Sequence, residues 1–541
     1  MTHQKIRFVI HGVWVILFTG LWLTGCKSQA TPEPVSTVSA TETAVSSPTP
    51  RPTISPTLPP TVPPTNTPTY IPIFETADCR FTFTVDADIQ CGYLIVPEDR
   101  ANPGRTIRLH VAIVSSKSSD PAPDPVVYLN GGPGIHTLIA TDYFVTLFDD
   151  ILAQRDLILF DQRGTGYSEP ALDCPETTEA VFAHIESDLD SAEEHANYVA
   201  ALTACHDRLT AAGINLSAYN SAAGAADLHE LRHALGYETW NLLGISYGTR
   251  LALTAMRDFG STGTIRSVIL DSVAPPQADF LAEGGINVDH AFNLLFARCT
   301  ADEACNNAYP NLETRFYALV DKLNDEPTPV VVTDRVSRTT YRVPFDGNDL
   351  IDIAFNMMYI PSQISTLPRM LSRLEQNGKG ELTNLLTERL QRAETTSVGM
   401  RYSVQCSEEV PFNDPAAFEE NQAALPAQLA DFTEIALEND AANCDAWQVE
   451  PADPMENEPV ISSIPTLILT GDYDPITPPT FAQETAEYLS HDYYFEFEGQ
   501  SHSILSSSSC GMELVIPFLN RPDTPPDDSC LEHQFFGFVT Q

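Results

Sequence analysis

The chain has 541 residues, 43% of them hydrophobic, and 73 Asp and Glu against 29 Lys and Arg give a formal net charge of −44. That apolar content excludes a wholly disordered chain. The charge repels phosphate backbones and so excludes a nucleic-acid partner, while the length is a prior for about three or four domain-sized units.

At the N-terminus, Lys5 and Arg7 precede an apolar run over residues 8–23 that ends in Leu23-Thr24-Gly25-Cys26. A basic stretch, an apolar stretch and small residues are the parts of a secretory signal. The Leu-Thr-Gly-Cys ending resembles the bacterial lipobox, in which the Cys is lipidated and becomes the first mature residue. Residues 1–26 therefore read as a lipoprotein signal peptide and Cys26 as a membrane tether, which implies an extracytoplasmic protein anchored to the bacterial cell membrane. No later apolar run approaches the ~20 residues that span a bilayer.

Residues 27–72 are dominated by Thr, Pro, Ser, Val and Ala. Such a segment buries too little apolar area to offset its ordering entropy, so a disordered, partly polyproline linker is expected. Of eleven cysteines, ten remain once Cys26 is set aside. An even number in an exported chain suits a full set of disulfides. The simplest pairing joins sequence neighbours, Cys79–Cys91, Cys174–Cys205, Cys299–Cys305, Cys406–Cys444 and Cys510–Cys530, although spacing alone does not fix connectivity. No CxxC pair and no His at ligand spacing accompanies them, so no metal is implied.

From about residue 73, short apolar runs alternate with amphipathic stretches. Runs at 126–129, 157–160, 240–243, 267–270 and 466–469 suit strands buried on both faces of a parallel sheet. Residues 226–235 and 249–257 suit helices, and the alternation implies an α/β fold. The interval 276–460 breaks the rhythm with helical patterns at 290–298, 313–323, 364–374 and 382–392. It reads as a helical cap inserted between a first core segment, 73–275, and a last one, 461–541.

The chemistry begins at Gly244-Ile245-Ser246-Tyr247-Gly248, a GxSxG between a predicted strand and a predicted helix. Glycines on both sides relieve the crowding of a sharp turn that pushes the Ser hydroxyl outward. A Ser nucleophile needs a base and a carboxylate to orient it, and in this fold the order is Ser, acid, His. Asp472 and Asp474 follow the strand at 466–469, and His502 follows another strand-like run at 493–498. Each lies at the C-terminal end of a strand, where open α/β sheets place their sites. The developing oxyanion needs donors: the Tyr247 amide, and the Gly132 amide in the loop Asn130-Gly131-Gly132-Pro133-Gly134.

These motifs, with Cys91-Gly92-Tyr93-Leu94, Asp161-Gln162-Arg163-Gly164-Thr165-Gly166-Tyr167-Ser168 and Gly471-Asp472-Tyr473-Asp474-Pro475-Ile476-Thr477-Pro478, resemble the α/β-hydrolase aminopeptidases related to prolyl aminopeptidase, and more closely the secreted tripeptidyl-aminopeptidase branch. The resemblance covers most of residues 79–530. It implies an α/β-hydrolase fold with a cap over the site, Ser246 as nucleophile, Asp474 rather than Asp472 as acid and His502 as base. Two departures stand: Asn130 where the family often has His, and Gly-Gln-Ser-His where Gly-x-Gly-His is commoner. Asp271, one strand earlier, is the alternative acid.

An aminopeptidase must also hold a free α-ammonium, for which carboxylates are the natural complement. Related enzymes use cap glutamates, which makes Glu408 and Glu409 the candidates for the substrate amine. The reading is a serine exopeptidase acting on peptides with a free N-terminus, without metal or organic cofactor. A carboxylesterase with the same triad and a non-catalytic surface-binding lipoprotein are the alternatives.

Overall fold

The computed structural model describes residues 71–187, 191–334, 338–376, 378–392, 395–533 and 537–540. The signal segment, Cys26 and nearly all of the Pro-rich stretch lie outside the described residues.

Among the described residues eleven strands follow in chain order: β1 (Ile73–Thr76), β2 (Ile89–Pro97), β3 (Thr106–Val114), β4 (Val126–Leu129), β5 (Leu157–Phe160), β6 (Trp240–Ile245), β7 (Ile265–Asp271), β8 (Thr328–Thr333), β9 (Thr340–Phe345), β10 (Thr466–Gly471) and β11 (Asp492–Phe497). Nine of them form one sheet in the order β1-β2-β3-β5-β4-β6-β7-β10-β11. From β5 to β11 every pairing is parallel, whereas β1, β2 and β3 add an antiparallel edge.

Side chains along a strand alternate between its two faces, and here each face has its own core. Leu243, Ile245, Ile269, Leu467 and Leu469 pack with Phe144, Phe148, Leu514 and Phe518. Leu242, Val268, Leu270 and Ile468 pack on the other side with Leu228, Leu231, Leu251 and Leu253. Burial on both faces is why these strands read as continuous apolar runs. The helix Ser221–Leu235 starts where the Asn220 side chain accepts from the Ala223 amide and stops at Gly236, in the left-handed region at φ 78°.

Residues 272–465 lie between β7 and β10 and carry a separate apolar cluster built around Phe292, Phe296, Phe316, Leu350 and Leu371. Helices dominate, but β8 and β9 form an antiparallel hairpin with Val330 and Val332 buried and Val331 exposed. The helix expected over 364–374 is two pieces, Pro361–Ile364 and Leu367–Glu375. Pro368 explains the break, since it has no N–H and clashes with the preceding turn anywhere but in a helix's first turn.

The five disulfides join sequence neighbours, as the simplest pairing has them. Among the described residues no helix is long and apolar enough to cross a membrane.

Candidate active site

The C-terminal ends of β6, β7 and β10 are in register. Ile245 lies opposite Asp271, and Asp271 opposite Leu469. Immediately beyond β6, Ser246 adopts φ 57° and ψ −127° before the helix Tyr247–Phe259 begins. A non-glycine residue is strained there, and the surroundings hold it: its amide donates to the Asp271 carbonyl at 3.0 Å, and its carbonyl accepts from the Thr249 amide at 2.8 Å. The helix comes so close to β4 that a Cβ on Gly248 would sit 2.0 Å from the Leu129 carbonyl oxygen. Only glycine fits that crossing.

The loop after β4 lies against the same hydroxyl. A Cβ on Gly131 would be 3.0 Å from the Ser246 Cβ and 3.4 Å from its Oγ. The Gly131 amide is bonded to the Asn130 side-chain oxygen at 2.8 Å, so Asn130 shapes this loop. Gly132, at φ 117°, turns the chain. Its amide has no acceptor among the described residues, and neither has that of Tyr247, which as the first residue of its helix lacks an intrahelical partner.

Asp474 is fully buried. Its Oδ1 accepts from the Ile476 and Thr477 amides at 3.0 and 2.9 Å, and its Oδ2 from the Thr477 hydroxyl at 2.7 Å. The same Oδ2 lies 2.8 Å from His502 Nδ1. A proton on Nδ1 facing that carboxylate leaves Nε2 as the basic nitrogen. Thr477 Oγ1 is also 3.1 Å from Nδ1, a contact that the sequence reading missed although Thr477 stood in its motif.

The two other acids have different work. Asp472 is 2.7 Å from Arg298, on the helix Phe280–Ala301, and accepts from the Gly499 amide at 2.9 Å. Asp271 takes the Ile504 and Leu505 amides at 2.8 and 2.9 Å, and burial pushes it up to about 6. With the Ser503 amide donating to the Ser272 hydroxyl at 2.7 Å, Asp271 fastens the turn bearing His502 to the end of β7, beside the strand that carries Ser246. The Ser246 hydroxyl has no hydrogen bond to His502 here; such contacts commonly tighten only once substrate is bound.

Glu408 and Glu409 both pair with the buried Arg250. Glu408 is fully buried, with Oε1 on the Ser221 amide at 2.6 Å and Oε2 on the Ser221 hydroxyl at 2.7 Å. Oε2 is also 3.0 Å from Arg250 Nε, and Glu409 Oε1 is 2.6 Å from Arg250 Nη1. The reason is Arg250 itself, a buried guanidinium one turn beyond Ser246 that requires counter-charge. Burial pushes Glu409 up to about 7, with Arg250 pulling the other way. Tyr247 joins the network through its hydroxyl, 3.0 Å from Ser221 Oγ. Glu408 thus has both oxygens engaged within the chain, by Ser221 and Arg250. Cys174, Glu176 and Cys205 lie within ligand distance of one another, but the two sulfurs are bonded together and offer no thiolate to a metal.

Known proteins agree with this architecture. A family model described as alpha/beta hydrolase fold matches residues 124–305, and one described as TAP-like protein matches 430–530. Serine protease Hip1 of Mycobacterium tuberculosis is 26% identical over 459 residues, covering 81% of this chain and 86% of that protein. Tripeptidyl aminopeptidase of Streptomyces lividans is 30% identical over 226 residues, 40% of this chain and 41% of its own length. Carboxylesterase B of M. tuberculosis is 26% identical over 253 residues, 44% and 47% of the two chains.

Proposed function

We propose, from the premise that this chain belongs to the α/β-hydrolase serine peptidases, that it is an aminopeptidase releasing short N-terminal fragments through an acyl-enzyme. The observation that carries this reading is the Asp474–His502 contact, fastened through Asp271 beside the strand end where Ser246 is held in a strained turn.

His502 Nε2 takes the Ser246 proton as the hydroxyl oxygen attacks the scissile carbonyl. The negative oxygen is received by the Gly132 and Tyr247 amides, and Asp474 stabilises the imidazolium without itself taking the proton. The C–N bond then breaks, His502 gives its proton to the leaving amine, and water, deprotonated by the same imidazole, releases the acyl fragment.

Two carboxylates against one guanidinium leave the Arg250 cluster with a surplus acceptor. Glu409, whose side chain is 17% exposed and uses one oxygen for Arg250, remains the candidate for the substrate ammonium. The N-terminal segment supports a lipid anchor on Cys26, with residues 27–72 as a tether and 276–460 as the cap. Mass spectrometry of the mature N-terminus tests the anchor.

The activity is tested with a free-amine peptide library and its N-acetylated counterpart. Cleavage of the free-amine set alone, lost in Ser246→Ala, supports the reading. Hydrolysis of acyl esters with no release from peptides overturns it in favour of a carboxylesterase. Absence of fluorophosphonate labelling at Ser246 overturns catalysis altogether.

A further inference from the structure

The insertion touches the base directly. Its helix Gly347–Met358 is fixed at the start by a capping box, in which the Asp346 side chain accepts from the Asn348 and Asp349 amides and the Asp349 side chain accepts from the Asp346 amide. Its other end lands on the turn that carries His502. The Ser501 hydroxyl donates to the Met358 carbonyl, and both residues are completely buried. The next residue, Tyr359, sets its ring 5.0 Å from the imidazole, edge to face at 69°. Two consecutive residues of the insertion therefore grip two consecutive residues of the base turn.

The Tyr359 hydroxyl identifies which part of that side chain acts. It is buried, at 2% exposure for the residue, and has no hydrogen-bond partner among the described residues. A hydroxyl with no hydrogen bond there contributes nothing to holding His502. The ring supplies the contact: its edge-to-face packing restricts the imidazole's rotation about χ2, a soft torsion in histidine.

We propose that Tyr359 is a positioning residue for the base, assisted by Ser501: the insertion, once seated, clamps His502 in the orientation in which Nδ1 meets Asp474 and Nε2 is free for Ser246. The proposal rests on the reading of His502 as base. The insertion then acts on the chemical step as well as on substrate selection, and displacing the end of the helix Gly347–Met358 slows acylation even by reagents too small to need a substrate pocket.

The test uses the purified full chain and three measurements on each variant: turnover of a free-amine peptide, the inactivation rate by a small fluorophosphonate, and the melting temperature. Tyr359→Leu is expected to lower kcat and the inactivation rate together by about 30-fold with KM within about twofold, since small misplacements of a catalytic group cost up to about 100-fold. Tyr359→Phe, which keeps the ring, is expected to restore both to within about threefold, and Ser501→Ala to lower both by about fivefold. The proposal is overturned if Tyr359→Leu slows peptide turnover but not inactivation, if Tyr359→Phe is as slow as Tyr359→Leu, or if melting temperature alone falls. His502→Ala separates the two levels. If it retains both activities the base assignment fails; if it loses both while Tyr359→Leu loses neither, only the positioning role fails.

Discussion

Asp474 meets His502 through a single 2.8 Å contact between Oδ2 and Nδ1, while its other oxygen is held by the Ile476 and Thr477 amides. The neighbouring Asp271 has no hydrogen bond to the imidazole and instead binds the amides of Ile504 and Leu505. Asp474→Asn, which removes the carboxylate that selects the tautomer, is expected to lower kcat by about 10⁴-fold. Asp271→Asn is expected to keep kcat within about tenfold and to lose stability, because one of the two oxygens that each accept an amide becomes an NH2 donor facing an N–H. Peptide turnover and urea unfolding of both variants check this; the reverse pattern of kcat losses would exchange the two roles.

Asp271 also carries a pH dependence. Burial raises it to about 6, against about 3.9 for an unfolded aspartate. Between those values the folded chain binds the extra proton, so this group's contribution to stability is fully present below about pH 4 and falls as pH rises towards 6. Asp271→Asn removes that component. The difference in unfolding free energy between wild type and variant should therefore change across pH 4–6 and level off above it; a pH-independent difference would contradict the raised value.

Thr477 donates to the same Asp474 oxygen that faces His502 and lies 3.1 Å from Nδ1. Thr477→Val preserves the shape and removes the hydroxyl. We expect kcat to fall about tenfold with KM little changed, the size of one lost charge-assisted hydrogen bond. Steady-state kinetics of the variant measure it, and an unchanged kcat would show that the backbone amides alone hold the acid.

Arg250 has a 1% exposed side chain between Glu408 and Glu409. Arg250→Met leaves two carboxylates without their cation, and loss of about 3–5 kcal/mol in unfolding free energy is expected. Glu409→Gln, which leaves Arg250 paired with Glu408, should cost less. If Glu409 receives the substrate ammonium, the same substitution should raise KM for free-amine peptides and leave fluorophosphonate labelling unaltered.

The parts of the site that were legible in the sequence are those whose cause is local. Gly244 to Gly248 announce a strand–turn–helix because the turn's sterics act over five residues, and the proposed acid and base follow in the order that strand succession imposes. The partners of Glu408 and Glu409 were not legible, since Arg250 and Ser221 lie far away along the chain and a carboxylate carries no mark of which cation will reach it. The β8–β9 hairpin did leave a sign: Val330, Val331 and Val332 are a β-branched run of the kind strands favour, set inside a stretch otherwise patterned for helices. Tyr359 left none, because its role depends on where a helix end lands.

The insertion leaves the sheet after β7 and returns at β10, and those strands are hydrogen-bonded neighbours. Because the two strands run parallel, the chain leaves at the C-terminal end of β7 and must come back to the N-terminal end of β10, so residues 272–465 form the whole crossover between two adjacent strands. The crossover is tied to the core at both ends of the site, by Glu408 and Glu409 on the buried Arg250 and by the Met358 carbonyl that accepts from Ser501. A shorter crossover would therefore have to replace both the counter-charge on Arg250 and the aromatic edge beside His502.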